Sequence, residues 1–215
     1  MQNGQEVIFW DWNGTLLNDV DICIEAMNML LNRRGMSVLD AKHYKDVFTF
    51  PVMDYYRKLG FDFEKEAFEI PAIEFIDEYK CRLANAMLFD DVFDTLQYFH
   101  KKGYRQFVVS AMENEALATS IEERGISHFF EKIVGLSDDY AHGKLHLAEE
   151  LIRIIDVPSD RILMIGDTLH DYEISKGLGV GIFLIDRGHQ SRERLMETKA
   201  KVLRNLSSLM EIEQI

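Results

Sequence analysis

The 215-residue sequence predicts an α/β protein, a doubly wound parallel sheet with an all-helical segment inserted after its first strand. Three observations carry this. Five short runs are rich in β-branched and aromatic residues; helical patterns alternate with the last four of them; and residues 18–88 break that alternation with helical periodicity alone.

The five runs are EVIFWDW (6–12), QFVVSA (106–111), KIVGL (132–136), RILMIGD (161–167) and GIFLID (181–186). Four of them are nearly continuous in apolar character, as strands of a parallel sheet covered on both faces must be. Helices are expected at 91–102, 114–124, 144–155 and 170–178, with Gly103, Gly125 and Gly179 placed where three of them should stop. Between the first two runs, stretches such as DICIEAMNMLLNRRG and EKEAFEIPAIEFIDEYKCRLANAM repeat apolar residues at the helical period, and no convincing strand appears. The expected organisation is an α/β core of residues 1–17 and 89–215 with a helical cap of residues 18–88. An insert that leaves directly after the first strand and returns before Asp90 sits over the carboxyl edge of the sheet, where open α/β folds bind ligands. That is the position of a lid.

Composition narrows the function classes. At 47% hydrophobic residues the chain can bury a sizeable core, and a net charge of −13 argues against a phosphate-backbone footprint, so no nucleic-acid partner is expected. Cys23 and Cys81 show no metal-type spacing and are expected to be unreactive thiols in a reducing compartment. With no secretory leader pattern and no uncharged apolar run near bilayer length, a soluble cytoplasmic protein without a membrane partner is expected, its oligomeric state left open.

Polar residues stand at the ends of the expected strands. Asp11 closes the first, Ser110 the second, Lys144 opens the helix after the third, and GDTLHD puts Asp167 and Asp171 at the end of the fourth. A lone strand-end aspartate is usually a turn cap. Parallel strands, however, deliver all their carboxyl ends to one side, so three carboxylates, a hydroxyl and a lysine converge. The helix dipole disfavours a cation at a helix start, so a lysine at position 144 is less expected than an acid, and that oddity favours a functional role.

These motifs, with VIFWDWNGTL (7–16) first among them, resemble those of the haloacid dehalogenase superfamily of hydrolases, and the insert resembles that family's C1 cap. FPVMDYYRKLGFD (50–62) is similar to the cap of phosphoglycolate-phosphatase-like members. The resemblance covers essentially the whole chain. It implies a Rossmann-like core and a Mg²⁺-dependent phosphatase-like hydrolase acting on a small phosphorylated metabolite through an aspartyl phosphate. It implies Asp11 as the nucleophile; Asp11, the backbone carbonyl of Asn13 and Asp167 as metal ligands; and Asp171 in the outer shell or holding a metal-bound water. Thr15 and Ser110, with backbone N–H groups around Gly14 and Ala111, would bind phosphate oxygens, and Lys144 would pair with both nucleophile and phosphate. His142 and His146 flank that lysine and read as solvated or loop histidines. Arg33, Arg34 and Arg57 are candidates to reach a substrate carboxylate, although a solvated helix face is the simpler role for each.

One position departs from the family pattern. Phosphatases of the family usually carry a second aspartate two residues after the first, the general acid to the leaving alcohol and then the base to water; here it is Asn13. An amide does neither, and losing a general acid typically costs about 10²- to 10⁴-fold. This leaves a slow phosphatase for alkyl esters, a competent one for acyl or aryl phosphates, or a non-catalytic phospholigand-binding protein or sensor. Asn13 followed by Gly14 is also a dipeptide prone to deamidation, which would regenerate an aspartate. Dehalogenation fits less well, because GDTLHD suits a divalent cation, and phosphonate cleavage would need a cap lysine such as Lys42, Lys45 or Lys58. Asn18 and Asp19 replace the Asp and Ser common in the subfamily, which points to an altered specificity.

Overall fold

The computed structural model describes residues 6–136 and 143–212. The chain opens with strand β1 (Val7–Trp10), followed by β2 (Leu17–Asn18) and four helices: α1 (Val20–Arg33), α2 (Ala41–Val47), α3 (Val52–Leu59) and α4 (Glu69–Leu83). After β3 (Met87–Leu88) come α5 (Val92–Lys101), β4 (Arg105–Glu113), α6 (Asn114–Glu123), β5 (Lys132–Leu136) and α7 (Lys144–Ile155). The chain then continues through β6 (Ile162–Gly166), α8 (Leu169–Leu178), β7 (Gly181–Ile185), α9 (Arg192–Leu195) and β8 (Lys201–Leu203).

Six strands form one parallel sheet in the order β5-β4-β1-β6-β7-β8. The chain runs to opposite sides of β1, so the end of β1 is the topological switch point, the place where such sheets hold ligands. Both faces of β1 are sealed. Ile8 and Trp10 join an apolar cluster with Leu96, Phe99 and Leu117, whereas Val7 and Phe9 join one with Ala148, Leu151 and Ile174. Each large side chain buried this way contributes about 1.5–3 kcal/mol, which is why the strand reads as a continuous apolar run.

The helical insert has its own core. Val20, Cys23, Met27, Leu30 and Leu31 of α1 meet Tyr44, Tyr55, Tyr56 and Phe61 from the other cap elements. Two strands that the periodicity does not predict mark its boundary: β2 and β3 pair antiparallel, Leu17 with Leu88 and Asn18 with Met87, so the exit and return of the insert are stitched together. Two residues each are too few to show a period of two. Nor does periodicity predict the edge strand β8, whose three residues pair with β7.

The cap is tied to the core at a second place. Lys45 Nζ donates to Arg187 O (3.1 Å), Gln190 Nε2 to Phe48 O (3.0 Å), and Arg194 to Lys45 O (3.0 Å). The segment after β7 therefore holds the end of α2 down over the sheet edge.

Candidate active site

Asp11 N donates to Ile165 O (2.9 Å), which fixes the residue after β1 beside the end of β6, and Asp167 follows that strand directly. The chain then reverses tightly, with Leu16 N and Leu17 N donating to Trp12 O at 3.0 and 2.9 Å. Gly14 in this turn has φ +71°, and a Cβ there would lie 2.4 Å from Asp167 Oδ2 and 2.6 Å from the His189 ring. Only glycine permits that approach.

The expected charged residues come together. Lys144 Nζ lies 2.5 Å from Asp11 Oδ1 and 2.5 Å from Asp171 Oδ1, with Lys144 only 4% exposed. Thr15 Oγ1 donates to Asp167 Oδ1 (3.0 Å) and lies 3.5 Å from Asp11 Oδ2. Asp171 serves two purposes: its Oδ2 accepts from Thr168 N (3.0 Å) in a capping box that starts α8, while its Oδ1 holds Lys144. The bland helix-start role of this aspartate and a role in the site are thus compatible.

Among the described residues the cluster is short of positive charge. Asp11, Asp167 and Asp171 each offer an oxygen within 4.8 Å of the others, and one ammonium answers three buried carboxylates. Burial pushes the Asp11 carboxyl well above its ordinary range; Lys144 pulls against this, and Asp171 and Asp167 add to it. Burial raises Asp167 as well, opposed by His189 and reinforced by Asp171. Burial would also raise Asp171, but Lys144 and the Thr168 hydroxyl hold it low. A hard divalent cation fits this all-oxygen set and would restore neutrality.

Ser110 and Ala111 lie where the pairing of β4 with β5 shifts register, between Val109 and Glu113. Ser110 Oγ accepts from Met112 N (3.1 Å) and donates to Asn13 Oδ1 (3.4 Å). The Gly14 N–H is engaged within the protein, by Leu17 O and Asp19 Oδ1, both at 2.9 Å. Those bonds hold the nitrogen that would have to attack the Asn13 amide during deamidation, and so oppose that reaction.

Beside this cluster lies a second polar group that no periodicity announces. Asp19, only 1% exposed, accepts from Asn13 Nδ2 (2.8 Å) and Tyr79 OH (2.9 Å) on Oδ2, and from Gly14 N (2.9 Å) on Oδ1, with His189 Nε2 3.2 Å from the same oxygen. The Tyr44 hydroxyl lies 2.8 Å from His189 Nδ1, and the His189 N–H donates to Asp167 Oδ2 (2.5 Å). Burial disfavours the His189 cation, but Asp19 outweighs it and pushes the imidazole up to about 9. Burial would raise Asp19 too, yet the charge and hydrogen bond of His189 and the bonds from Asn13 and Tyr79 hold it below the usual carboxylate range. Asp19, Cys23 and His189 together have metal-ligating atoms within 4.8 Å, but burial and Asp19 raise the Cys23 thiol, which stays protonated, and Asp19 is already saturated with donors. This group is complete without a metal.

The remaining candidates find partners elsewhere. Arg33 and Arg34 pair with cap glutamates, Arg34 with Glu66 (2.8 Å) and Glu74 (2.9 Å), and Arg57 pairs with Asp54 (2.7 Å). All three guanidinium groups are spent on cap carboxylates, and Arg34 is largely covered rather than part of a solvated face. His146 faces Glu149 and Glu150 with nearly half its side chain exposed, and His142 lies outside the described residues.

Comparison with known proteins agrees with this architecture. The chain is 22% identical over 212 residues to the tyrosine-protein kinase PtkA of Mycobacterium tuberculosis, covering 97% of this chain and 72% of the relative. It is 25% identical over 216 residues to the pyrophosphatase PpaX of Anoxybacillus flavithermus (95% of each chain) and 21% identical over 210 residues to the phosphoglycolate phosphatase of Aliivibrio fischeri (92% and 91%). The fold matches that of a haloacid dehalogenase-like protein from Streptococcus pneumoniae with a TM-score of 0.84 at 20% identity, over 98% and 99% of the two chains. The profile of the haloacid dehalogenase-like hydrolases matches residues 7–185, and the chain belongs to that family.

Proposed function

We propose that the protein is a cytoplasmic Mg²⁺-dependent phosphatase-like hydrolase that acts on a small phosphorylated metabolite through an aspartyl phosphate on Asp11. The observation that carries this reading is the buried lysine shared by two carboxylates beside a third, with oxygens within 4.8 Å of one another. A carboxylate attacks a phosphate dianion only where cations offset the repulsion, and among its described residues this cluster has one fixed cation and donors for a second.

In this reading Asp11 Oδ2 attacks phosphorus while Lys144, held by Asp171, neutralises the charge that builds on the phosphoryl oxygens. Thr15 and Ser110 donate hydroxyls to those oxygens, with backbone amides near Ala111 assisting and Gly14 keeping the turn close. Asp11, the Asn13 carbonyl and Asp167 would hold the Mg²⁺, with Asp171 behind them, and the ion would supply charge neutralisation at the phosphoryl group. The cap covers the sheet edge and excludes bulky substrates and water. The pyrophosphatase and phosphatase relatives support phosphoryl chemistry; none fixes the substrate.

Phosphate release from p-nitrophenyl phosphate, with Mg²⁺ and with EDTA, for the wild type and Asp11→Asn tests the proposal. Turnover that needs both Mg²⁺ and Asp11 supports it. The absence of an acid at Asn13 favours a second reading, a phospholigand-binding protein or sensor; Mg²⁺-dependent ligand binding without hydrolysis would establish that one instead.

A further inference from the structure

Asn13 is held by contacts that a carboxylate could not make. Its Nδ2 donates both protons, one to Asp19 Oδ2 and one to Tyr79 OH, each at 2.8 Å, and its Oδ1 accepts from Ser110 Oγ. A carboxylate only accepts, so Asp19 dictates which end of the amide faces it and turns the amide oxygen toward Ser110. Asp19 is itself closed: four further donors, Tyr79 OH, Gly14 N–H, His189 and the Cys23 thiol, satisfy it inside the protein. What it requires of position 13 is a hydrogen-bond donor.

An aspartate at position 13 would set two acceptors 2.8 Å apart, or would have to keep a proton bound between them, spent on Asp19 and lost to the leaving group. The general acid is thus excluded by a neighbour, not merely missing. On the reading of Asp11 as nucleophile, we infer that Asp19 is a positioning residue that keeps position 13 a neutral donor and thereby commits the site to phosphoryl compounds whose leaving group departs without a proton, the phosphoanhydrides and acyl phosphates.

The chemistry closes without an acid. In the first step a bond forms between Asp11 Oδ2 and phosphorus while the bond from phosphorus to the leaving oxygen breaks, and that oxygen departs as an anion with the electron pair. In the second, water adds to phosphorus, its protons remain on the phosphate released, and the bond to Asp11 breaks to regenerate the carboxylate. Neither leaving group, a phosphate or a carboxylate, needs protonation to depart.

The test is kcat/KM on the full chain with Mg²⁺ for acetyl phosphate, inorganic pyrophosphate, a series of aryl phosphates and an alkyl phosphate, in the wild type, Asn13→Asp, Asp19→Asn and the double variant Asn13→Asp/Asp19→Asn. The wild type should fall at least about 100-fold from acetyl phosphate to the alkyl ester. Asn13→Asp alone should leave the alkyl rate at or below that of the wild type. The double variant exchanges the two groups, so that an amide at position 19 can donate to a carboxylate at position 13, and it should raise the alkyl rate at least tenfold. Asp19→Asn should lower kcat on acetyl phosphate with little change in KM. The wild-type profile needs no variant: turnover with equal rates on acyl and alkyl phosphates overturns the inference and leaves the phosphatase reading standing. Rescue of alkyl hydrolysis by Asn13→Asp alone also overturns it. Inertness toward every compound removes the phosphatase reading, and this inference with it.

Discussion

Two buried polar groups meet at the end of β1, and they are balanced differently. In the first, Lys144 is shared by Asp11 and Asp171 with Asp167 beside them, so among the described residues one ammonium faces three carboxylates. In the second, the single carboxylate of Asp19 faces one histidine cation and four neutral donors, the Cys23 thiol among them, so that its charge is matched. One backbone hydrogen bond, from His189 N to Asp167, joins them. Burial lifts Asp11 and Asp167 above the ordinary carboxylate range, whereas in Asp171 it is outweighed by Lys144 and in Asp19 by His189. A buried group that is complete fixes geometry, and one that is deficient is built to receive a ligand.

The same change, Asp to Asn, should therefore act oppositely at the two places. Asp11→Asn should lower Mg²⁺-dependent phosphate release at least about 10³-fold, measured under single-turnover conditions to separate chemistry from product release. Without metal it should leave the melting temperature unchanged or raise it, because it removes one of three crowded charges. Asp19→Asn should destabilise by about 3–5 kcal/mol in urea titrations, since it strands a buried histidine cation. If both substitutions lowered stability equally in EDTA, the contrast between the groups would collapse.

The first group was legible in the sequence because its members stand at strand ends: once the apolar runs are read as parallel strands, Asp11, Ser110, Lys144 and Asp167 must share an edge. The second was not. Asp19 stood out only as a departure from the subfamily pattern, with no partner to explain it. His189 lies in the connection after β7, where no period exists, and its partner Tyr44 is 145 residues away in sequence. One signal was available, the coincidence of an amide at 13 with a carboxylate displaced from 18 to 19. Of the fold, the five core strands were readable as apolar β-branched and aromatic runs and the four core helices from their period, whereas β2, β3 and β8 were too short to show either signal.

The pH dependence of stability separates the groups further. The folded value of His189, about 9, lies above its ordinary 6.5, so the folded state binds that proton more tightly. The stabilisation is therefore complete below pH 6.5 and fades as pH rises through about 9. Asp19, lowered in the fold, contributes above its ordinary 3.8 and loses that contribution as pH falls through its folded value. Wild type and His189→Gln should differ most in the window between, by about 3 kcal/mol, and should converge toward pH 10 in chemical denaturation. The raised Asp11 and Asp167 work the other way: in EDTA they weaken the fold as pH climbs above 3.8.

Mg²⁺ should give the smallest effect and the finest distinction. At 100 times its dissociation constant a ligand of the folded state adds about 2.7 kcal/mol, or roughly 5–10 °C in a chain of this size. That shift should vanish in Asp167→Asn, which loses a donor, and survive in Asp19→Asn, which changes only the complete group. Loss of the shift in Asp19→Asn would mean that the bond from His189 to Asp167 transmits the state of one group to the other, making the pair a single unit rather than a scaffold beside a receptor.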